Sequence, residues 1–133
     1  MKILVERDKE KAKSLLNMAK ISLNRLNEFD KFKYPTNTLT DYYDIIHKLM
    51  ESLSLLKGIK IKGEGAHQEL IDYICKTYKF REPERIFLQE LRDYRNRISY
   101  EGFNINKNYI QNNISRIEEI ISRLIKLTNL NET

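Results

Sequence analysis

Apolar residues recur at intervals of three and four along nearly the whole chain, the spacing that lines one face of a helix. In the first run Ala12, Leu15, Leu16, Ala19, Leu23 and Leu26 are interleaved with Lys11, Lys13, Lys20 and Arg25. This predicts an amphipathic helix over about residues 6 to 29, ended by the loop KFKYPTNT. A second run, Leu39, Tyr42, Tyr43, Ile46, Leu49, Met50, Leu53 and Leu56, predicts a helix over roughly 38 to 57 that stops before Gly58. Thr38 or Thr40 is suited to cap it, with Asp41 at the positive end of its dipole. The connector GIKIKGEG alternates like a strand, but it is short and isolated and is expected to form an ordered loop.

His67, Leu70, Ile71, Ile74 and Tyr78 predict a shorter helix over about 65 to 78. A fourth helix is expected from near Pro83, a first-turn residue, through ERIFLQELRDYRNRISYE to Gly102. After FNIN, Ile110, Ile114, Ile117, Ile121, Leu124 and Leu127 predict a fifth over about 107 to 128, with the C-terminal NLNET expected to fray. The fold class is all-α: a mostly up-and-down bundle of four long helices and one short one, forming one domain over residues 1–133.

Composition adds limits. A chain of 133 residues buries a continuous core without covalent staples. Its net charge of +5, from 24 Lys and Arg against 19 Asp and Glu, permits an anionic partner without demanding one. The one cysteine, Cys75, excludes an internal disulfide, and its neighbours in DYICKTY lack C-x-x-C spacing. Neither histidine has a second His or Cys at zinc spacing, so no metal and no cofactor is expected. The apolar run in MKILVERDKEKAK is too short for a signal peptide, and no stretch approaches the roughly 18 apolar residues of a membrane span. A cytoplasmic protein without membrane association is the expectation.

The fourth helix resolves into lines set by about 100° of rotation per residue. Phe87, Leu91, Tyr94 and Ile98 form the apolar line expected to face the core. Beside it run Arg85, Leu88, Arg92, Arg95 and Ser99, and beyond those Gln89, Asp93, Asn96 and Tyr100, both lines expected to turn away from the core. The plainer account is a solvated face with i,i+4 pairs such as Asp93 to Arg97 and Arg97 to Glu101, each contributing about 0.2 to 0.5 kcal/mol. Against it stands the choice of residues. Arginine offers a planar fork suited to phosphate, and tyrosine both stacks and donates.

The segments YYDIIHKLMESLSLLKG, GEGAHQELIDYI and above all LRDYRNRISYEGFNI resemble the HEPN domain family, over most of residues 6 to 128. The family hallmark is an Arg, then a polar residue that is commonly Asn, then a His after four to six intervening positions. Arg95 and Asn96 match its first two members. The resemblance implies a homodimer through the fourth helix with a composite cleft, and a role toward RNA or a nucleotide. It also implies a possible pairing with a nucleotidyltransferase protein, or a place in a toxin-antitoxin pair. Active members are metal-independent ribonucleases in which the His assists attack of a ribose hydroxyl and the Arg stabilises the phosphate; others bind without cleaving.

Here Tyr100 stands after four intervening residues, where the family has His. A tyrosine of ordinary pKa near 10 is phenolate in only about one part in a thousand at neutral pH, forfeiting most of the roughly 10² to 10⁴ that a general base supplies. The implied protein is therefore catalytically weak or inactive. It would bind nucleotide or RNA through Arg92, Arg95, Asn96 and Ser99, with Arg95, Asn96 and Tyr100 in the catalytic positions.

His47 shares a polar helical line with Thr40, Asp44, Glu51 and Ser54 and is expected to be a lone surface residue. His67 is expected to pack at a helix start, replacing the missing motif His only if the fold brings it near Arg95. Tyr42, Tyr43, Tyr78 and Tyr94 sit on apolar lines and are expected in the core with satisfied hydroxyls. KGEG is too short for a phosphate-binding loop, and no serine nucleophile motif is present. Three functions follow in order: a binding partner, a structural dimerisation module, and a metal-independent ribonuclease using Arg95 with Tyr100 or His67.

Overall fold

A computed structural model describes residues 1–132. Five helices account for most of the chain: α1 (Lys9–Leu26), α2 (Pro35–Leu56), α3 (Ala66–Thr77), α4 (Glu82–Glu101) and α5 (Lys107–Asn131). The all-α class stands. One departure is that GIKIKGEG is not a loop throughout. Ile59–Ile61 forms a strand, β2, antiparallel to β1 (Lys2–Leu4), with Ile3 opposite Lys60. The alternation in the connector was a real strand signal, and its partner is the apolar stretch before the first helix. Gly58 permits the turn: its φ is +71°, and a Cβ there would lie 2.8 Å from the Val5 carbonyl oxygen. Val5 N donates to Gly58 O at 2.9 Å, and Arg7 Nε to Leu56 O at 2.6 Å, so the ribbon is fastened to the end of α2.

Helix α1 starts later than the apolar period suggests, because Asp8 caps it by accepting from Lys11 N at 2.9 Å. Helix α2 starts earlier, at Pro35, whose fixed φ suits the first turn. Thr38 is thus inside the helix rather than its cap, and its hydroxyl donates to Lys31 O at 2.7 Å. The end of α5 runs on through Asn131, whose side chain donates to Leu127 O at 2.7 Å. Of the stretch expected to fray, Thr133 lies outside the described residues.

The core is built around α2. This helix packs against α1, α3, α4, α5 and β2, and its buried residues occupy most of its circumference, from Leu39 and Tyr42 through Ile45, Ile46, Leu49, Met50 and Leu53 to Leu56. A helix apolar on nearly every side belongs in a protein interior. Small residues let α1 approach it closely: Ser52 Oγ donates to Ala12 O at 2.6 Å, with both residues fully buried. The stripes of α1, α3 and α5 close the remaining sides, Ile120 and Thr128 being buried beyond the α5 line read from the sequence.

Two tyrosines depart from expectation. The hydroxyls of Tyr42 and Tyr78 are buried with no hydrogen-bond partner among the described residues. Burial raises the pKa of both, that of Tyr78 to about 12, so both stay neutral. Cys75 is buried in the same core, and burial pushes its thiol up to about 12. No helix is long and apolar enough to cross a membrane among the described residues.

Candidate functional site between α2, α3 and α4

The part of α2 that escapes burial carries Asp41, Asp44, His47, Lys48 and Glu51. His67, the second residue of α3, meets this stripe. Its ring stacks on that of His47 with centroids 4.0 Å apart and planes 23° from parallel. The Tyr43 ring flanks both, 6.3 Å from His47 and 6.2 Å from His67. Glu51 Oε1 lies 2.9 Å from His47 Nδ1, fixing that imidazole along the helix, while Tyr43 Oη makes a longer contact of 3.5 Å to His67 Nδ1. The expectation that His47 stands alone is therefore corrected. Its i,i+4 relation to both Tyr43 and Glu51 was visible in the sequence; its meeting with His67 depends on how α3 docks.

Helix α4 supplies the positive charge. Arg95 Nε lies 3.3 Å from Asp44 Oδ1, and its Nη1 donates to Ser99 Oγ. Arg92 Nε donates to Gln89 Oε1 at 2.7 Å. This corrects the expected orientation of the helix. Leu88, on the same line as both arginines, is fully buried, and Arg92 and Arg95 are half-buried at the seam with α2 rather than turned away from the bundle. Conversely Tyr94 and Ile98 are only partly buried. The buried face of α4 is Phe87, Leu88 and Leu91, rotated toward the basic line because α2 and α3 both lie on that side.

Electrostatics tie these groups into one cluster. His67 is held below the usual histidine range, first by partial desolvation and then by the charge of His47, with Arg92 and Arg95 adding to the effect against the opposing pull of Glu51. Glu51 is lowered, chiefly by its hydrogen bond with His47, and so remains a carboxylate. Tyr43 is raised by burial, against the charges of Arg92 and Arg95. The same field that lowers His67 keeps its imidazole neutral, with a ring nitrogen lone pair unprotonated. The guanidinium groups supply forked donors of the kind that receive phosphate. Arg95 Nη2 and both terminal nitrogens of Arg92 make no hydrogen bond to protein among the described residues, so each arginine is anchored by part of its fork and open at the rest.

Of the residues singled out from sequence, Arg95 and Ser99 meet directly beside Arg92 on α4, and the charges of both arginines act on His67. Asn96 is half-buried, and Tyr100 is 86% exposed near the end of α4; neither makes a side-chain hydrogen bond to the cluster. Arg97 belongs elsewhere, 4.1 Å above the Phe103 ring and 3.4 Å from Glu101, and does not pair with Asp93. Tyr43, Asp44 and Glu51 are members that a reading of α4 alone misses. No group of three or more His, Cys, Asp or Glu residues is placed to hold a metal ion among the described residues. No family model, curated protein or solved structure matches the chain.

The lowered histidine has a consequence for stability. Below its ordinary value of about 6.5 the unfolded chain takes up a proton at His67 that the folded chain resists, so stability is lost as pH falls through that range. Glu51 adds a loss of the same sign at lower pH, where its folded carboxylate must be protonated. Urea unfolding at about pH 7 and about pH 5 is expected to show a shallower decline for His67→Gln than for the parent chain. Equal declines would mean that His67 titrates as it does in the unfolded chain.

Proposed function

We propose that this chain binds a phosphate-bearing ligand, RNA or a nucleotide, through Arg92 and Arg95 at the seam of α2 and α4. The observation that carries the proposal is the half-anchored state of the two arginines. Asp44 and Ser99 hold two nitrogens of Arg95 and Gln89 holds one of Arg92, while the charges of both arginines act on His67 of the stacked histidine pair. Preorganised forks of this kind favour phosphate over a diffuse cloud of counterions. The resemblance to HEPN domains points the same way, and with it a protein partner of the nucleotidyltransferase kind. Replacing Arg95 with Ala is expected to weaken binding of single-stranded RNA by about 1.5 to 3 kcal/mol, the range for hydrogen bonds to charged groups, and to reduce the salt slope by about one. Unchanged affinity at low salt would sink the proposal.

The dimer belongs to the same reading. Helix α4 buries only three residues fully, and Ile86 and Tyr100 are exposed along a common face at 56% and 86%. That face is where a second copy would dock, either to complete the binding cleft or as a structural module alone. Light scattering is expected to give twice the 16.0 kDa chain mass, falling to the chain mass in an Ile86→Glu, Tyr100→Glu variant. A parent chain that runs as a monomer at micromolar concentration removes the dimer.

A second reading, a metal-independent ribonuclease, is favoured by one observation: His67 shares its surroundings with Arg92 and Arg95 and is held neutral there. In such a reaction His67 would take the proton of a ribose 2′-hydroxyl. The freed oxygen would attack the adjacent phosphorus, and the bond to the 5′-oxygen would break, leaving a 2′,3′-cyclic phosphate and, after protonation, a 5′-hydroxyl. Incubation of single-stranded RNA with the protein in EDTA distinguishes cleavage from binding. The enzyme reading holds if products form and are lost with His67→Ala and Tyr100→Phe combined, and it is excluded if the parent cleaves no faster than that variant.

A further inference from the structure

A hollow lies beside the histidine pair. It encloses about 150 Å³ between α2, β2 and α3, and its lining includes His47, Glu51, Leu55, Ile59, His67 and Leu70. This is well below the roughly 300 Å³ at which sites for whole drug-sized ligands begin, and of a size for one planar group. Lys11 of α1, Lys60 of β2 and Ala66 at the start of α3 also line it. Arg95 pairs with Asp44, one turn before His47 on α2, and His47 stacks on His67, so the arginine pair and the lining of the hollow share one polar stripe.

We propose that this hollow receives the base of a guanine nucleotide whose phosphate is held by Arg92 and Arg95. The inference rests on the phosphate reading given above and extends it to the base. Apolar walls at Leu55, Ile59 and Leu70 accept the flat faces of a heterocycle, and histidine rings are among those on which bases stack. The polar groups then choose among bases. Glu51 offers a carboxylate acceptor, and Lys11 and Lys60 offer donors. Guanine carries two neighbouring N–H donors and a carbonyl oxygen along one edge, which matches that set. Adenine places an unprotonated ring nitrogen beside its amino group, so the carboxylate would face a lone pair. The larger cleft between α1 and α2, about 580 Å³ and lined by Arg25, Phe29, Asp41, Asp44 and Lys48, includes neither histidine.

Calorimetric titration of the full chain with GMP, AMP and ribose 5-phosphate at low salt tests this. GMP is expected to bind about tenfold or more tighter than either of the others. Ala66→Leu, which fills the hollow without touching the arginines, is expected to bring GMP down to the level of ribose 5-phosphate while leaving the latter unchanged. Circular dichroism establishes that the variant folds; should it not, Glu51→Gln serves instead and is expected to erase the preference for GMP over AMP. Equal affinity for all three compounds, or a GMP preference that survives the substitution, overturns the base site while leaving the phosphate reading in place. Binding of none of the three overturns both.

Discussion

The fold depends on the burial of α2. With Tyr42, Tyr43, Ile45, Ile46, Leu49, Met50 and Leu53 all at or below 2% exposure, the helix must be covered on nearly every side. Four other helices and the ribbon do this. Such enclosure leaves few positions on α2 where a polar side chain is tolerated, and these fall on one stripe from Asp41 to Glu51. The location of the candidate chemistry follows from packing. Charged and hydrogen-bonding groups of α2 have one outlet, and the start of α3 and the middle of α4 border it.

At that outlet the forces are modest individually. The pair between Arg95 and Asp44 is part-exposed, and pairs of this kind contribute about 0 to 1 kcal/mol. A contact of that strength orients the guanidinium without holding it fast. The stacked imidazoles behave differently. The charge of His47 disfavours a proton on His67, and Glu51, which opposes that effect at His67, makes its direct hydrogen bond with His47. The two rings are therefore chemically unequal although they lie face to face.

Much of the fold was legible because its cause is local. Period and punctuation placed all five helices, and Pro35, Pro83 and Gly102 mark boundaries close to those observed. What sequence could not place was long-range. The strand in GIKIKGEG needed a partner some 57 residues away, as Ile3 opposite Lys60 shows. Leu88 sits on a line with three arginines, and only the position of α2 and α3 decides that this line turns inward as far as Arg95. For the site, Arg92, Arg95 and Ser99 were readable as a basic line, and His67 as a residue awaiting a neighbour. Tyr43 and Glu51 were hidden by being classed with the core and with an ordinary polar face, since nothing in their spacing reveals that α3 brings a second imidazole.

Cys75 offers a final consequence. It packs on the inner face of α3, the helix that carries His67, and burial keeps its sulfur protonated. Only the thiolate reacts readily with disulfides and alkylating reagents. As the chain's one thiol, it is a built-in clock for the parting of α3 from α2: its rate of modification measures how often that helix lifts away, with no label added to the molecule.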